Sequence, residues 1–123
     1  MKIPEGYQQI MPYLIINDAT GFINFMKTVF GATEKYKAMR DENIIAHAEL
    51  QLGDSTIMFA DATGDFPPRP AGMFIYVENA DETYATALAN GAISIMPPAD
   101  MDYGRSCGIQ DPFGNTWWPI TAI

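Results

Sequence analysis

The stretches Tyr13-Leu-Ile-Ile-Asn-Asp-Ala19 and Phe74-Ile-Tyr-Val-Glu-Asn-Ala80 decide the fold, because they share one pattern. In each, an apolar run rich in β-branched residues predicts a buried strand, and the Asn or Asp that follows it can cap a helix. Each helical stretch is then closed by a Gly-Ala pair, at Gly31 and at Gly91. The two patterns lie about 60 residues apart, about half of the 123-residue chain, so the sequence predicts an internal duplication.

Three strands follow each helix in the predicted plan. They are expected at about 33–39, 44–52 and 55–60, and again at about 93–96, 105–110 and 116–120. The chain is therefore predicted to be α+β, with two βαβββ modules at about 9–61 and 72–123 and a linker at about 62–71. We expect the modules, paired either within one chain or between two chains, to form one curved, cavity-enclosing mixed sheet with the helices outside.

Two finer features of the second module are also predicted. Asn79 or Asp81 caps its helix, and the inner helical face carries Tyr84, Ala87 and Leu88. The stretch 96–102, which contains two prolines, is expected to be an irregular loop.

Charge and composition limit the partners. The net charge of −8 disfavours nucleic acid and would attract cations, although an acidic surface also simply favours solubility. The sequence has no apolar run long enough to span a bilayer, and Met1 to Ile10 lacks the apolar core of a secretory signal. The single cysteine, Cys107, excludes an intrachain disulfide. We therefore expect a cytoplasmic protein with no membrane partner.

Several short motifs occur in a recognisable order. They are Met11-Pro-Tyr-Leu14, Ile45-Ala-His-Ala-Glu-Leu50, Ile75-Tyr-Val-Glu78, Tyr103-Gly-Arg105 and Asp111-Pro-Phe-Gly114. Together with the duplicated plan, they resemble the vicinal oxygen chelate superfamily, which contains glyoxalase I, bleomycin-resistance proteins and extradiol dioxygenases. The closer resemblance is to its PhnB-like subgroup.

The resemblance implies four positions that hold a divalent ion in the metal enzymes of this superfamily, using His or Glu. Here these positions fall near Met11, near Met58, between Gly72 and Phe74, and at Trp118. A thioether is a soft, weak donor and an indole donates only its N–H, so none of these side chains suits a hard or borderline metal. No cofactor is therefore expected, with a divalent metal as the alternative.

His47 is the only histidine, and Glu49 follows it two residues later on the same strand. Both side chains therefore point to the same face. They are the candidate catalytic residues, with His47 as a base or hydrogen-bond donor. The alternative is a structural histidine satisfied by a neighbour.

Aromatic side chains on or beside the predicted strands suggest a small-molecule pocket, although core packing explains the same composition. The residues predicted to bind ligand are Tyr13, His47, Met58, Phe74, Tyr76, Tyr103, Arg105 and Trp118. Arg105 either holds a carboxylate or phosphate oxygen or pairs with Asp100, Asp102 or Asp111. Cys107 is a nucleophile only beside a cation, and is otherwise a buried hydrophobic residue.

Three functions stay open. The first is a small-molecule binding protein whose ligand is cationic or aromatic. The second is a glyoxalase-type lyase or isomerase, either metal-dependent or using His47 and Glu49. The third is a dimer whose cavity is filled by its own side chains. A homodimer is expected in each case, because exposed sheet edges need covering.

Overall fold

The computed structural model describes residues 1–123, and every predicted helix and strand is present. The first module contains β1 (Tyr13–Ile16), α1 (Ala19–Phe30), β2 (Thr33–Met39), β3 (Ile45–Leu52) and β4 (Ser55–Asp61). The second contains β5 (Gly72–Tyr76), α2 (Ala80–Ala89), β6 (Ile93–Met101), β7 (Gly104–Gln110) and β8 (Thr116–Ala122). The predicted pair of βαβββ modules is therefore confirmed.

The strands pair in the same way in both modules. The first sheet has the order β1-β4-β3-β2 and the second has the order β5-β8-β7-β6. In each sheet the first strand runs parallel to the last strand of its module, and the other pairs are antiparallel. Each module thus forms a four-stranded mixed sheet of its own, in agreement with the predicted α+β fold of two βαβββ modules.

The chain forms two compact units. Unit 1 comprises Met1–Lys27 and Gly31–Arg69, and unit 2 comprises Thr28–Phe30 and Pro70–Ile123. In unit 1, Phe22 of α1 packs edge-on against Phe59 of β4, with ring centroids 5.0 Å apart. Both rings are fully buried, so this contact lies at the centre of the unit 1 core.

The helix starts preserve the duplication in their hydrogen bonds. The Asp18 side chain accepts from the Gly21 amide at the start of α1, and the Asn79 side chain accepts from the Glu82 amide at the start of α2. Asn79, rather than Asp81, is thus the cap of α2. The first amide of each helix also donates a hydrogen bond to a side chain near the end of its module. Asp61 accepts from the Ala19 amide and Thr121 accepts from the Ala80 amide, each at 2.8 Å.

Two predictions about the second module were wrong. Strand β6 continues to Met101, across the stretch expected to be a loop, with register irregularities on either side of Met96. Its prolines are tolerated because β6 lies at the edge of the sheet. Leu88, expected on the inner face of α2, is 37% exposed, whereas Ala80 and Ala87 are buried. Neither helix is long and apolar enough to cross a membrane.

The turn between β7 and β8 is organised by the buried carboxylate of Asp111. It accepts hydrogen bonds from the amides of Phe113 and Asn115 and from the side chains of Asn115 and Trp117. All four donors lie within six residues of Asp111. This carboxylate is therefore satisfied by its own loop, which fixes the start of β8.

Candidate functional site

One row of side chains crosses the face of the first sheet opposite α1. Strand register aligns Tyr13 of β1 with Met58 of β4, Met58 with Glu49 of β3, and Glu49 with Tyr36 of β2. His47 lies two residues along β3 on the same face, and its ring stacks on that of Tyr13 at 5.5 Å. The structure therefore brings together four of the residues singled out from the sequence: Tyr13, His47, Glu49 and Met58.

A chain of hydrogen bonds links four side chains on this face. Tyr7 donates its hydroxyl hydrogen to Glu49 Oε1 at 2.5 Å, and His47 Nε2 lies 2.7 Å from Glu49 Oε2. The Tyr13 hydroxyl lies 3.0 Å from His47 Nδ1. Because an ionised carboxylate only accepts, His47 Nε2 is the donor in its contact with Glu49.

The surroundings of Glu49 favour its charged form. Burial opposes ionisation, but the hydrogen bonds from Tyr7 and His47 outweigh burial and hold the pKa of this carboxyl below its ordinary value. The same hydrogen bond to Glu49, together with burial, raises the pKa of Tyr7. At neutral pH the site therefore contains an almost fully buried anion that receives hydrogen bonds from a phenol and an imidazole.

The N-terminal segment, residues 1–12, reaches this face without regular secondary structure. The Lys35 ammonium donates to the Gly6 carbonyl and to the Thr56 hydroxyl, and it lies 3.9 Å from the centroid of the Tyr7 ring. Gln8 adds bonds to the backbone at Thr56 and at Asp54. The Lys35 side chain of β2, Thr56 of β4 and the Asp54 carbonyl in the turn before β4 therefore hold the segment where Tyr7 can reach Glu49.

An open cavity of about 360 Å³ lies beneath the N-terminal segment. Its apolar lining comes from the segment and from β4, through Met1, Ile3, Pro4, Tyr7, Met11 and Met58. Tyr7 and Met58 thus belong both to the cavity and to the hydrogen-bonded face. This cavity has the size and the mostly apolar lining of a site for a small molecule.

The second sheet carries an aromatic surface. Phe74 of β5 is in register with Trp118 of β8, and it packs edge-on against Tyr76 with centroids 5.2 Å apart. The Trp118 indole lies over Gly108 of β7, so close that a methyl group there would lie 2.8 Å from its Cε3 atom. Phe74 and Tyr76 are more than half exposed, so the structure places these three predicted residues on one accessible face.

Three residues singled out from the sequence lie elsewhere. Arg105 makes a bidentate ion pair with Asp81 of α2 and bonds to Asp100, which places its guanidinium on the helix side of the sheet. Tyr103 lies exposed in the turn between β6 and β7. Cys107 is fully buried, and burial together with the charge of Asp81 raises its pKa to about 11. Cys107 is therefore not an activated nucleophile.

Arg105 therefore pairs with acidic side chains, which was one of the two possibilities drawn from the sequence. Asp100 was among the expected partners, and Asp81 was not. The hydrogen bonds to Asp81, then those to Asp100, raise the pKa of Arg105, and Asp81 has a lowered pKa for the same reason. Both side chains are substantially exposed, so solvent weakens this interaction.

Metal-binding side chains are not clustered in this structure. No group of three or more His, Cys, Asp or Glu side chains is placed to hold one ion. Met58 and Trp118, which occupy two of the four positions implied by the resemblance, lie at equivalent places in the two sheets. The one carboxylate beside Met58 is Glu49, whose oxygens already accept from Tyr7 and His47.

Sequence reasoning missed two residues that shape these faces. Tyr7 lies in a segment without periodic pattern, and its partner Glu49 is 42 positions away, so nothing local indicated their contact. Gly108 is flanked by residues typical of a strand, and a glycine inside a strand is a known sign of close approach by another group. That signal was present, but the sequence alone does not identify the approaching group as Trp118.

These features define an α+β protein of two βαβββ modules, with a hydrogen-bonded polar row on the first sheet and an aromatic surface on the second. The chain belongs to the Glyoxalase/Bleomycin resistance protein/Dioxygenase superfamily, whose family profile matches residues 6–118. The resemblance to the vicinal oxygen chelate superfamily is thereby confirmed.

Relatives support the fold over nearly the whole chain. The uncharacterised protein Mb0911c of Mycobacterium bovis is 26% identical, with 88% of this chain and 79% of that protein covered. TioX from Micromonospora sp. ML1 superposes with a TM-score of 0.76 at 19% identity, covering 94% of this chain and 99% of TioX. A PhnB protein from Bacillus cereus superposes with a TM-score of 0.74 at 21% identity, covering 94% of this chain and 100% of that protein. TnmS3, an antibiotic binding protein from Streptomyces sp. CB03234, superposes with a TM-score of 0.74 at 17% identity, covering 100% of this chain and 99% of TnmS3.

Proposed function

We propose that this protein binds a small aromatic or cationic molecule on its open sheet faces without using a metal ion. The observation that carries this proposal is the face around His47 in unit 1. There, half-exposed Tyr13 and Tyr36 flank the imidazole, and the buried Glu49 supplies a negative charge 2.7 Å from its Nε2 atom. Aromatic ring faces attract both planar ligands and cations.

Three further observations support the proposal. The exposed aromatic surface formed by Phe74, Tyr76 and Trp118 in unit 2 offers a second stacking face. The net charge of −8 raises the local concentration of cations. Antibiotic binding by TnmS3 shows that a protein with this fold is suited to an organic ligand.

The test is isothermal titration calorimetry against a panel of aromatic cations, neutral aromatics and aliphatic cations, with metal-free protein and with protein given zinc, nickel or manganese. We expect an aromatic cation to bind equally well in both preparations. Tyr76→Ser should weaken binding about tenfold if stacking in unit 2 contributes. Phe66→Ser is the matched control, because Phe66 is 64% exposed and Tyr76 is 70% exposed. If no compound of the panel binds, the proposal is contradicted.

A glyoxalase-type lyase or isomerase is the second candidate, because His47 and Glu49 form a polar pair at 2.7 Å on an accessible face. Its test is metal analysis of the purified protein together with turnover of methylglyoxal and glutathione. Turnover that disappears in His47→Gln, or stoichiometric tightly bound metal, would favour the enzyme over the binding protein.

We also propose a homodimer. Strands β1 and β2 border the first sheet and β5 and β6 border the second, so each module has strand edges that a second copy can cover. Light scattering at several concentrations tests this, and a constant monomer mass would contradict it. A high-resolution structure in which the partner's side chains fill the cavity beneath the N-terminal segment would instead favour the alternative without a ligand.

A further inference from the structure

We infer that the cavity beneath the N-terminal segment binds the apolar body of a small primary amine, with its ammonium group donating to the hydroxyl oxygen of Tyr7. This inference rests on the proposed binding function and specifies the ligand and its place. It assigns a binding role to residues 1–11, which contain no strand or helix.

The cavity and the His47 face adjoin within unit 1, because Tyr7 and Met58 belong to both. Met58 lies in register between Tyr13 and Glu49, and its side chain also lines the cavity. Tyr7 lines the cavity, and its hydroxyl donates to Glu49. A ligand in the cavity would therefore contact the polar chain without any rearrangement of the sheet.

The apolar lining suits a flexible organic group. Three methionines, Met1, Met11 and Met58, contribute thioether side chains. Methionine is unbranched and polarisable, so it adapts to ligands of different shape and makes favourable contacts with aromatic rings. The volume of about 360 Å³ is near the lower end for ligand sites, so it fits one ring with a short chain.

The hydroxyl of Tyr7 supplies the polar end of the site. Its hydrogen is already donated to Glu49, so only the lone pairs of its oxygen are available to a ligand. The neighbouring carboxylate increases the electron density on that oxygen, because hydrogen bonds in a chain polarise one another. The lowered pKa of Glu49 and the raised pKa of Tyr7 agree with this charge distribution. A protonated amine is the complementary donor.

Two lysines lie near the cavity. Lys35 is held by Gly6 and Thr56, with its ammonium against the Tyr7 ring, so its donors are already directed at acceptors of the protein. Lys2 also lines the cavity, but its side chain is exposed and its long stem lets the ammonium extend into water. An anionic ligand held by Lys2 is the opposite outcome, and the experiment includes it.

The experiment compares three probes of equal length by calorimetry: 4-phenylbutylamine, 4-phenylbutanol and 4-phenylbutyric acid. We expect wild-type protein to bind the amine about tenfold more tightly than the alcohol, because the amine makes a charge-assisted hydrogen bond. Tyr7→Phe keeps the ring but removes the acceptor, so it should abolish this preference. Tyr84→Phe is the matched control, since it removes a hydroxyl that bonds to Ser94 in unit 2.

A second variant tests the cavity rather than the charge. Ile3→Ser should weaken the amine and the alcohol by similar factors, because it removes apolar surface that both probes contact. Ile123→Ser, at an exposed residue outside the cavity, should change neither. Circular dichroism of each variant establishes that it is folded.

Several results would overturn the inference. These are equal or tighter binding of the alcohol or the acid, an unchanged amine preference in Tyr7→Phe, or no effect of Ile3→Ser. If none of the three probes binds while an aromatic cation from the larger panel does, the inference is also overturned but the proposed function stands. If neither the probes nor any panel compound binds, both the inference and the proposed function are rejected.

Discussion

Equivalent rows of the two sheets carry very different side chains. In unit 1 the row is Tyr13, Met58, Glu49 and Tyr36, and in unit 2 it is Phe74, Trp118, Gly108 and Met96. Where the first row has a buried carboxylate, the second has no side chain, and an indole lies over that position. The first face has consequently become polar and hydrogen-bonded, while the second is an aromatic surface.

The comparison teaches that the two modules share their scaffold but not their chemistry. Both modules share the strand order, the side-chain bond at the helix N-cap, and the helical amide bond accepted by Asp61 or Thr121. Unit 2 does contain a buried carboxylate, Asp111, but its donors come from its own turn, whereas Glu49 is bonded by Tyr7 from a distant segment. A locally satisfied carboxylate fixes a turn, and one satisfied from distant elements can form a site.

The largest expected effect is from Asp111→Ala, which sharpens this distinction. It would leave buried donors of Asn115 and Trp117 without a partner, so we expect a loss of about 3 kcal/mol in the free energy of unfolding. Urea denaturation measures this. Asp102→Ala, at an exposed turn position, is the control. A loss no greater than that of the control would mean that Asp111 does not organise the turn.

Gly108→Ala tests the aromatic row. The added methyl group would clash with the Trp118 indole, so the indole must move outward or the sheet must be strained. We therefore expect the free energy of unfolding to fall by about 2 kcal/mol and the tryptophan fluorescence to change. Gly72→Ala in the same sheet meets nothing within 4 Å and should leave the fluorescence unchanged. An unaltered spectrum in Gly108→Ala would break the comparison, because the missing side chain would then have no structural role.

Glu49→Gln tests the polar row. It should lower the free energy of unfolding by about 1 kcal/mol near neutral pH. Since the folded-state pKa of Glu49 lies below its ordinary value of 4.5, the ionised group stabilises the fold fully above that pH. This contribution is lost as the pH falls through the lowered pKa. The difference in stability between wild type and variant should therefore be constant above pH 4.5 and shrink below it, as followed by urea denaturation. Glu42→Gln, an exposed control, should show no such change.

The smallest expected effect is from Arg105→Gln. Its ion pairs with Asp81 and Asp100 are exposed, so the midpoint of urea denaturation and the affinity for the panel ligand should both match wild type within error. A marked loss of ligand affinity would contradict the placement of Arg105 on the helix side and would restore it as a ligand-binding residue.

The scaffold was largely predictable because its signals are local. The cap at Asp18, the left-handed Gly31 and strand β2 all lie where the sequence indicates. Strand β6 was missed because Pro97 and Pro98 resemble a loop, and only the strand order shows that they lie at an edge. Sheet order is a tertiary property, which short-range patterns do not contain.

The candidate site was only partly predictable. Alternation along one strand placed His47 and Glu49 on the same face, because that relation is local. Tyr7 and its hydrogen bond could not be predicted, because the segment that carries it is held by Lys35 and Thr56 from separate strands. Arg105 had several acidic candidates nearby in sequence, and its main partner, Asp81, is 24 positions away.

The buried Cys107 provides a built-in reporter of motion. Its sulfur is covered on the helix side by the Ala80 carbonyl and lies near the carbonyl of Pro119, so a thiol reagent cannot reach it in the closed protein. Its labelling rate would follow the frequency with which α2 lifts from the second sheet. Because no other cysteine competes, the unmodified chain can be used to ask whether a bound ligand slows that opening.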